Sequence, residues 1–192
     1  MGDEPMKKGV LEAIVGCMSC GKSEELIRRV KRAIIAKQSV IVFKPALDNR
    51  TDEVTIASRD GKRCDAIAID RPSEILERLN GDHQVVGFDE VQFFGPELLP
   101  VVNALLERGT RVIVSGLDTD FRGEPFGIVP QLLALADSVT KLTAVCMRCG
   151  GTATRSQRLI NGQPAPYDAP TILVGGDEAY EARCRDCHVV LR

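Results

Sequence analysis

The 192-residue chain has almost no net charge, its 25 Lys and Arg standing against 27 Asp and Glu for a formal −2 at pH 7. Without a positive excess there is no global field to draw in nucleic acid or an acidic membrane, so any phosphate recognition has to be local. Long apolar runs are missing too, and none approaches bilayer-spanning length. The early lysines Lys7 and Lys8 are not backed by an apolar secretory segment. Cytoplasmic location, with no nucleic-acid or membrane partner, is the expectation. Repeats and low-complexity tracts are also missing. The seven cysteines do not form an even, secretory-type set. They fall into the pairs Cys17/Cys20, Cys146/Cys149 and Cys184/Cys187, with Cys64 alone. In a reducing compartment such pairs point to metal binding more than to disulfides. What remains, 44% hydrophobic and 27% charged residues, describes an ordinary folded protein of about one domain plus an appendage.

Short β-branched runs alternate with segments of helical period as far as about residue 143. This alternation predicts an α/β fold, a parallel sheet flanked by helices. Strands are expected over residues 9–15, 39–44, 84–88, 111–115 and 139–145, and helices over 23–38, 72–80, 96–108 and 130–137. In the first helix Leu26, Ile27, Val30, Ala33 and Ile34 share one face. Arg28, Arg29, Lys31, Arg32 and Lys37 cover much of the rest, which reads as a solvated face rather than a nucleic-acid patch. Residues 45–65 are polar and aperiodic, as in a lid, a binding loop or a disordered stretch. From Cys146 onward, paired Cys and Gly and Pro164-Ala165-Pro166 replace the helical periods. The expected organisation is a disordered N-terminus over 1–8, a nucleotide-binding domain over 9–144 and a small metal-binding domain over 145–192.

Gly16-Cys17-Met18-Ser19-Cys20-Gly21-Lys22-Ser23 fits G-x-x-x-x-G-K-[ST] between a strand and a helix. Backbone N–H groups of such a loop, with the helix N-terminus, enclose a β-phosphate. Lys22 then reaches the β- and γ-phosphates and the Ser23 hydroxyl takes a place on Mg²⁺. Cys17 and Cys20 resemble a redox pair, but loop residues acting through their backbone are the simpler reading. Farther on, an apolar strand delivers Asp89-Glu90. Asp89 there can hold Mg²⁺ and Glu90 can take a proton from an attacking hydroxyl or water, which leaves kinase and ATPase equally open. Cys146, Cys149, Cys184 and Cys187 supply four thiolates for a structural zinc site. His188 adjoins Cys187 as a competing fourth ligand.

Several collinear segments together resemble type II thymidine kinases, the cellular, zinc-containing kind. They are residues 16–29, Lys44-Pro45-Ala46-Leu47-Asp48-Asn49-Arg50, residues 88–94, 117–127 and 141–149, and residues 174–184. The resemblance implies a RecA-like P-loop core with a small zinc-anchored lasso domain. It also implies transfer of the γ-phosphoryl of ATP, with Mg²⁺, to the 5′-hydroxyl of thymidine or deoxyuridine in pyrimidine salvage. By matching position Glu90 is the base on that hydroxyl and Arg50 belongs to a lid over the phosphates. Met18, Phe93, Leu117, Phe121, Phe126, Ser156 and Tyr180 surround the pyrimidine, and lasso backbone at Val174, Gly175 and Gly176 bonds its polar edge. Flat aromatic walls and a Gly175-Gly176 main chain free of Cβ atoms suit that task. A homotetramer and feedback by thymidine triphosphate are implied as well.

The chain departs from that pattern at Ser156, where Thr is usual, at Thr51 and Arg59 in the lid, and at Cys20, which replaces a small residue and introduces sensitivity to oxidation. The competing readings are a P-loop ATPase or nucleic-acid-handling module with a zinc knuckle, and a zinc-stabilised nucleotide-binding protein without catalysis. Balanced charge counts against the first and the intact Lys22, Ser23, Asp89 and Glu90 set against the second.

Overall fold

Nearly continuous burial along the central strands sets the architecture. In a computed structural model, which describes residues 8–46, 55–57, 63–79, 83–172 and 178–192, β1 (Leu11–Gly16) sends Leu11, Ala13 and Val15 to one face and Ile14 to the other. This is the period of two that a strand enclosed between two layers requires. After it come α1 (Lys22–Ile35), β2 (Val40–Pro45), an antiparallel hairpin of β3 (Thr55–Ala57) and β4 (Arg63–Asp65), and β5 (Ile67–Ile69). The chain continues through α2 (Ser73–Arg78), β6 (Val85–Phe88), a 3-10 turn at Val91–Phe93, α3 (Leu98–Glu107), β7 (Arg111–Leu117), α4 (Val129–Leu135) and β8 (Ser138–Leu142). Six strands form one parallel sheet in the order β5-β2-β6-β7-β1-β8.

Helix α1 covers one face, burying Leu26, Ile27, Val30 and Ala33 against Ile14, Val42, Val85 and Ile113. The other face, carrying Val86, Phe88, Val112 and Val114, packs against Ile75, Leu98, Val102, Leu105, Val129 and Leu132 of α2, α3 and α4. Ile34, expected on the buried face of α1, is instead 54% exposed. The helix ends at Ile35, short of residue 38, because Lys37 turns to φ 58° and the Lys37 and Gln38 amides bond back to Ile34 and Ala33 at 2.9 and 3.1 Å. A left-handed residue just past the helix closes it in this way.

Three differences from the sequence reading share one physical cause, the shortness of the elements involved. β5 adds an edge strand of three residues beside β2, and β3 and β4 are also three residues each within the stretch read as aperiodic. Such segments are too short to show a period. The expected strand over 139–145 is two elements: β8 stays in the main sheet, while β9 (Ala144–Val145) pairs antiparallel with β10 (Thr152–Ala153). Beyond lie β11 (Arg155–Ile160), β12 (Gln163–Pro164) and β13 (Glu178–Arg183), a three-stranded antiparallel sheet in the order β12-β11-β13. Buried Ser156, Gln157 and Arg158 on β11 interrupt the apolar alternation by which a strand is recognised. No helix among the described residues is long and apolar enough to cross a membrane.

Candidate active site

The carboxyl ends of β1, β6 and β7 lie side by side in the sheet, which is where open parallel sheets bind ligands. From β1 the chain turns through Gly16 (φ 149°), Ser19 (φ 61°) and Gly21 (φ 86°) into α1. A Cβ on Gly16 would sit 2.3 Å from the Leu142 carbonyl oxygen, so only glycine fits between the loop and β8. A Cβ on Gly21 would meet nothing within 4 Å, and the loop is open on that side. Lys22 is buried, and its Nζ donates to the Cys17 carbonyl at 2.7 Å and lies 3.8 Å from Cys20 Sγ. The Cys17 thiol donates to the Ala153 carbonyl at 3.5 Å, and Cys20 packs against the cluster that holds Cys17. The interaction with Cys17, opposed by burial and assisted by Lys22, brings the Cys20 thiol down to about 7, while the same interaction and burial push Cys17 up.

Asp89 follows β6, its amide anchored on the Phe43 carbonyl at 2.9 Å. The Ser23 hydroxyl donates to Asp89 Oδ2 at 3.2 Å, so the proposed pair of Mg²⁺ residues is adjacent. Burial first, then the neighbouring Glu90 carboxylate, push the Asp89 carboxyl up to about 6. A buried carboxylate beside another is the environment that a divalent cation relieves. Glu90 is buried and occupies the left-handed region at φ 50°. Gln92, 3% exposed, donates from Nε2 to Glu90 Oε2 and accepts the Leu117 amide at 2.9 Å through Oε1. Sequence reasoning missed Gln92, whose signal was an amide two residues beyond the Asp-Glu pair.

The residues assigned to the pyrimidine fall into three contacts. Ser156 Oγ accepts the Met18 amide at 3.0 Å, joining β11 to the phosphate loop. Phe93 and Phe126 meet edge to face with centroids 5.8 Å apart, and Leu117 ends β7 beside Gln92. Phe121 is buried with Ala165 and Ala169 while Tyr180 packs against that cluster, and the Arg122 and Arg158 guanidiniums lie 4.5 and 5.2 Å from the Phe121 ring. Arg122, also missed, bonds Asp120, Thr171 and the Tyr167 and Ala169 carbonyls, fastening the loop after β7 to the C-terminal part. Arg50, Val174, Gly175 and Gly176, the lid positions Thr51 and Arg59, and residues 1–7 lie outside the described residues.

Cys146, Cys149, Cys184 and Cys187 bring their sulfurs within 4.8 Å of one another, and Cys149 and Cys184 stand 3.7 Å apart. Four thiolates about 2.3 Å from a central Zn²⁺ have tetrahedral edges of about 3.8 Å, so the cluster has the dimensions of a closed structural zinc site. His188 does not compete, because its Nε2 is 2.8 Å from the Phe121 carbonyl.

A parallel sheet with a glycine-rich phosphate loop after one strand and a paired carboxylate after another places the protein in the P-loop nucleotide-binding α/β class. Residues 9–188 match the family model described as Thymidine kinase. A Thymidine kinase of Coprothermobacter proteolyticus is 59% identical over 182 residues, covering 95% of this chain and 91% of the relative. One of Deinococcus deserti is 55% identical over 198 residues, covering 98% of each. The chain therefore belongs to the thymidine kinase family.

Proposed function

We propose that the protein transfers the γ-phosphoryl of ATP to the 5′-hydroxyl of thymidine, with deoxyuridine as a second substrate, in pyrimidine salvage. The observation that carries this reading is the carboxylate of Glu90, oriented by Gln92 at the end of β6 next to the Ser23–Asp89 pair. Glu90 is positioned to draw the proton from the attacking hydroxyl. The loop amides from Gly16 to Ser23 hold the phosphates, and Lys22 leaves the Cys17 carbonyl to pair with their oxygens. Ser23 and Asp89 would hold Mg²⁺, which supplies charge neutralisation on the transferring group. Met18, Phe93, Leu117, Phe121, Phe126, Ser156 and Tyr180 enclose the base, with Arg50 and the backbone of residues 174–176 completing the lid and the polar contacts.

We further propose that residues 145–192 act as a unit anchored by Zn²⁺, and that the enzyme works in the cytoplasm as a homotetramer under feedback by thymidine triphosphate. ATP consumption with thymidine, with single-stranded DNA and with neither tests the central reading. Turnover only with thymidine, yielding the 5′-monophosphate, is the expected result. Turnover stimulated by DNA, or equal in all three, would overturn it.

A further inference from the structure

The phosphate loop holds a feature that phosphoryl transfer does not use. Cys17 and Cys20 bracket the arc that carries Met18 and Ser19, and Cys20 packs against the apolar cluster in which Cys17 is buried. Cys17 is fully buried, whereas Cys20 is partly exposed and gives an oxidant a way in. Cys20 Sγ lies beside the Lys22 ammonium, and a Cβ on Gly16 would come within 2.8 Å of that sulfur. A thiol with a cationic neighbour, a second thiol close by and partial exposure is the arrangement of a reactive cysteine with its resolving partner. Cys64 has no paired thiol in sequence, and the other four cysteines form the metal cluster, whose Cys146 is buried in the same apolar cluster as Cys17.

We propose that Cys17 and Cys20 form a reversible disulfide modification site within the phosphate loop, closed by a hydroperoxide and opened by a dithiol, and that closing it weakens ATP binding. Its effect on ATP rests on reading Gly16 to Ser23 as the phosphate site, whereas the bond itself does not.

The Cys20 thiolate attacks the peroxide, so that an S–O bond forms, the O–O bond breaks and hydroxide leaves. The Cys17 sulfur then attacks the Cys20 sulfenic acid, an S–S bond forms, the S–O bond breaks and the second oxygen departs as water with the Cys17 proton. Two thiols lose two electrons in all, and the hydroperoxide is reduced. Bringing the two sulfurs to a bond of about 2.05 Å has to draw both ends of the arc together. The Cys17 carbonyl that receives Lys22 lies at one of those ends, and so does the Cys17 sulfur that reaches Ala153. The loop amides then no longer converge on a phosphate. Charge on Cys20 in the reduced loop favours the first step, since the thiol is lowered by its interaction with Cys17 and by Lys22.

The test uses the full-length, zinc-loaded protein, treated with a small excess of hydrogen peroxide and then with dithiothreitol. Disulfide mapping, zinc content and affinity for a non-hydrolysable ATP analogue are followed together. The expected result is a Cys17–Cys20 linked peptide, retained zinc, and an analogue affinity that falls about ten- to a hundredfold and recovers on reduction, the range for losing one or two charge-assisted bonds. Cys17→Ser and Cys20→Ser, each judged by its own oxidised-to-reduced ratio, should show a ratio near one. Absence of the linked peptide overturns the site, and so does equal loss of affinity in either variant. A linked peptide with unchanged affinity overturns the effect on ATP. Equal analogue binding by reduced protein and by Lys22→Ala shows instead that the phosphate-loop reading has failed, and the linked peptide still decides whether the bond forms.

Discussion

Glu90 is constrained from two directions, by a backbone at φ 50° and by the Gln92 amide that bridges its carboxylate to the Leu117 N–H. Replacing Glu90 by Gln keeps the shape but removes the proposed base, and kcat should fall by about 10² to 10⁴ with little change in the KM for ATP. Gln92→Ala should lower kcat in the same direction by a smaller factor, because the carboxylate remains but loses its orientation. Steady-state kinetics on both variants checks this, and normal turnover in Glu90→Gln would remove Glu90 from the mechanism. Ser156 spends its hydroxyl as the acceptor for the Met18 amide. Ser156→Thr keeps that bond and adds a methyl, so it should shift the thymidine-to-deoxyuridine ratio of kcat/KM by roughly tenfold or less. Ser156→Ala leaves a loop amide without its acceptor and should cost about 1 to 3 kcal/mol in urea unfolding.

At the scale of elements, Glu12 on β1 ties three parts of the sheet layer together. Its carboxylate accepts from Arg111 on β7 at 2.6 and 3.0 Å and from Arg29 on α1 at 2.7 Å, and Arg29 also reaches Thr140 on β8 at 2.8 Å. Burial raises the Glu12 carboxyl, but the Arg111 and Arg29 guanidiniums prevail and hold it below its ordinary value. A carboxyl depressed in the folded state contributes stability that is complete above its unfolded pKa, about 4.3, and is lost as pH falls through the lower folded value. Glu12→Gln should therefore destabilise the protein by about 1 to 3 kcal/mol at neutral pH and by much less near pH 3. Denaturant titrations at the two pH values measure the difference, and an equal effect at both would show that Glu12 contributes through packing rather than charge.

Across the whole molecule, the phosphate loop and the C-terminal sheets are joined by the Cys17–Ala153 and Met18–Ser156 contacts, and the loop after β7 is joined to the same part by Arg122 and by His188. A structural metal contributes its binding free energy to folding, so loss of Zn²⁺ should be felt at the phosphate loop as well as in the base pocket. One Zn²⁺ per chain is expected. Cys149→Ser or Cys184→Ser should lower the thermal midpoint and raise the KM for thymidine and, through the loop contacts, for ATP. Metal analysis with thermal unfolding tests this, and freshly reduced protein without stoichiometric zinc would sink it.

Local signals were legible in the sequence because each is written within a few consecutive residues. The short apolar, β-branched runs of β1, β6 and β7, the Gly16 to Ser23 loop, the Asp89-Glu90 pair and the two cysteine knuckles all announce themselves without knowledge of the fold. Elements of two or three residues such as β5 and β9 did not, since pairing with a neighbouring strand is what makes them strands. The strand order, the buried Arg158 above Phe121, the Gln92 bridge and the choice of Phe121 over zinc by His188 also belong to the tertiary structure. These partners are far apart in the chain or act through side chains of no special pattern, and only the folded backbone brings their donors and acceptors to bonding distance. Residue types in sequence therefore determined which chemistry was available, and tertiary packing decided how Glu90, Lys22 and Ser156 are oriented to use it.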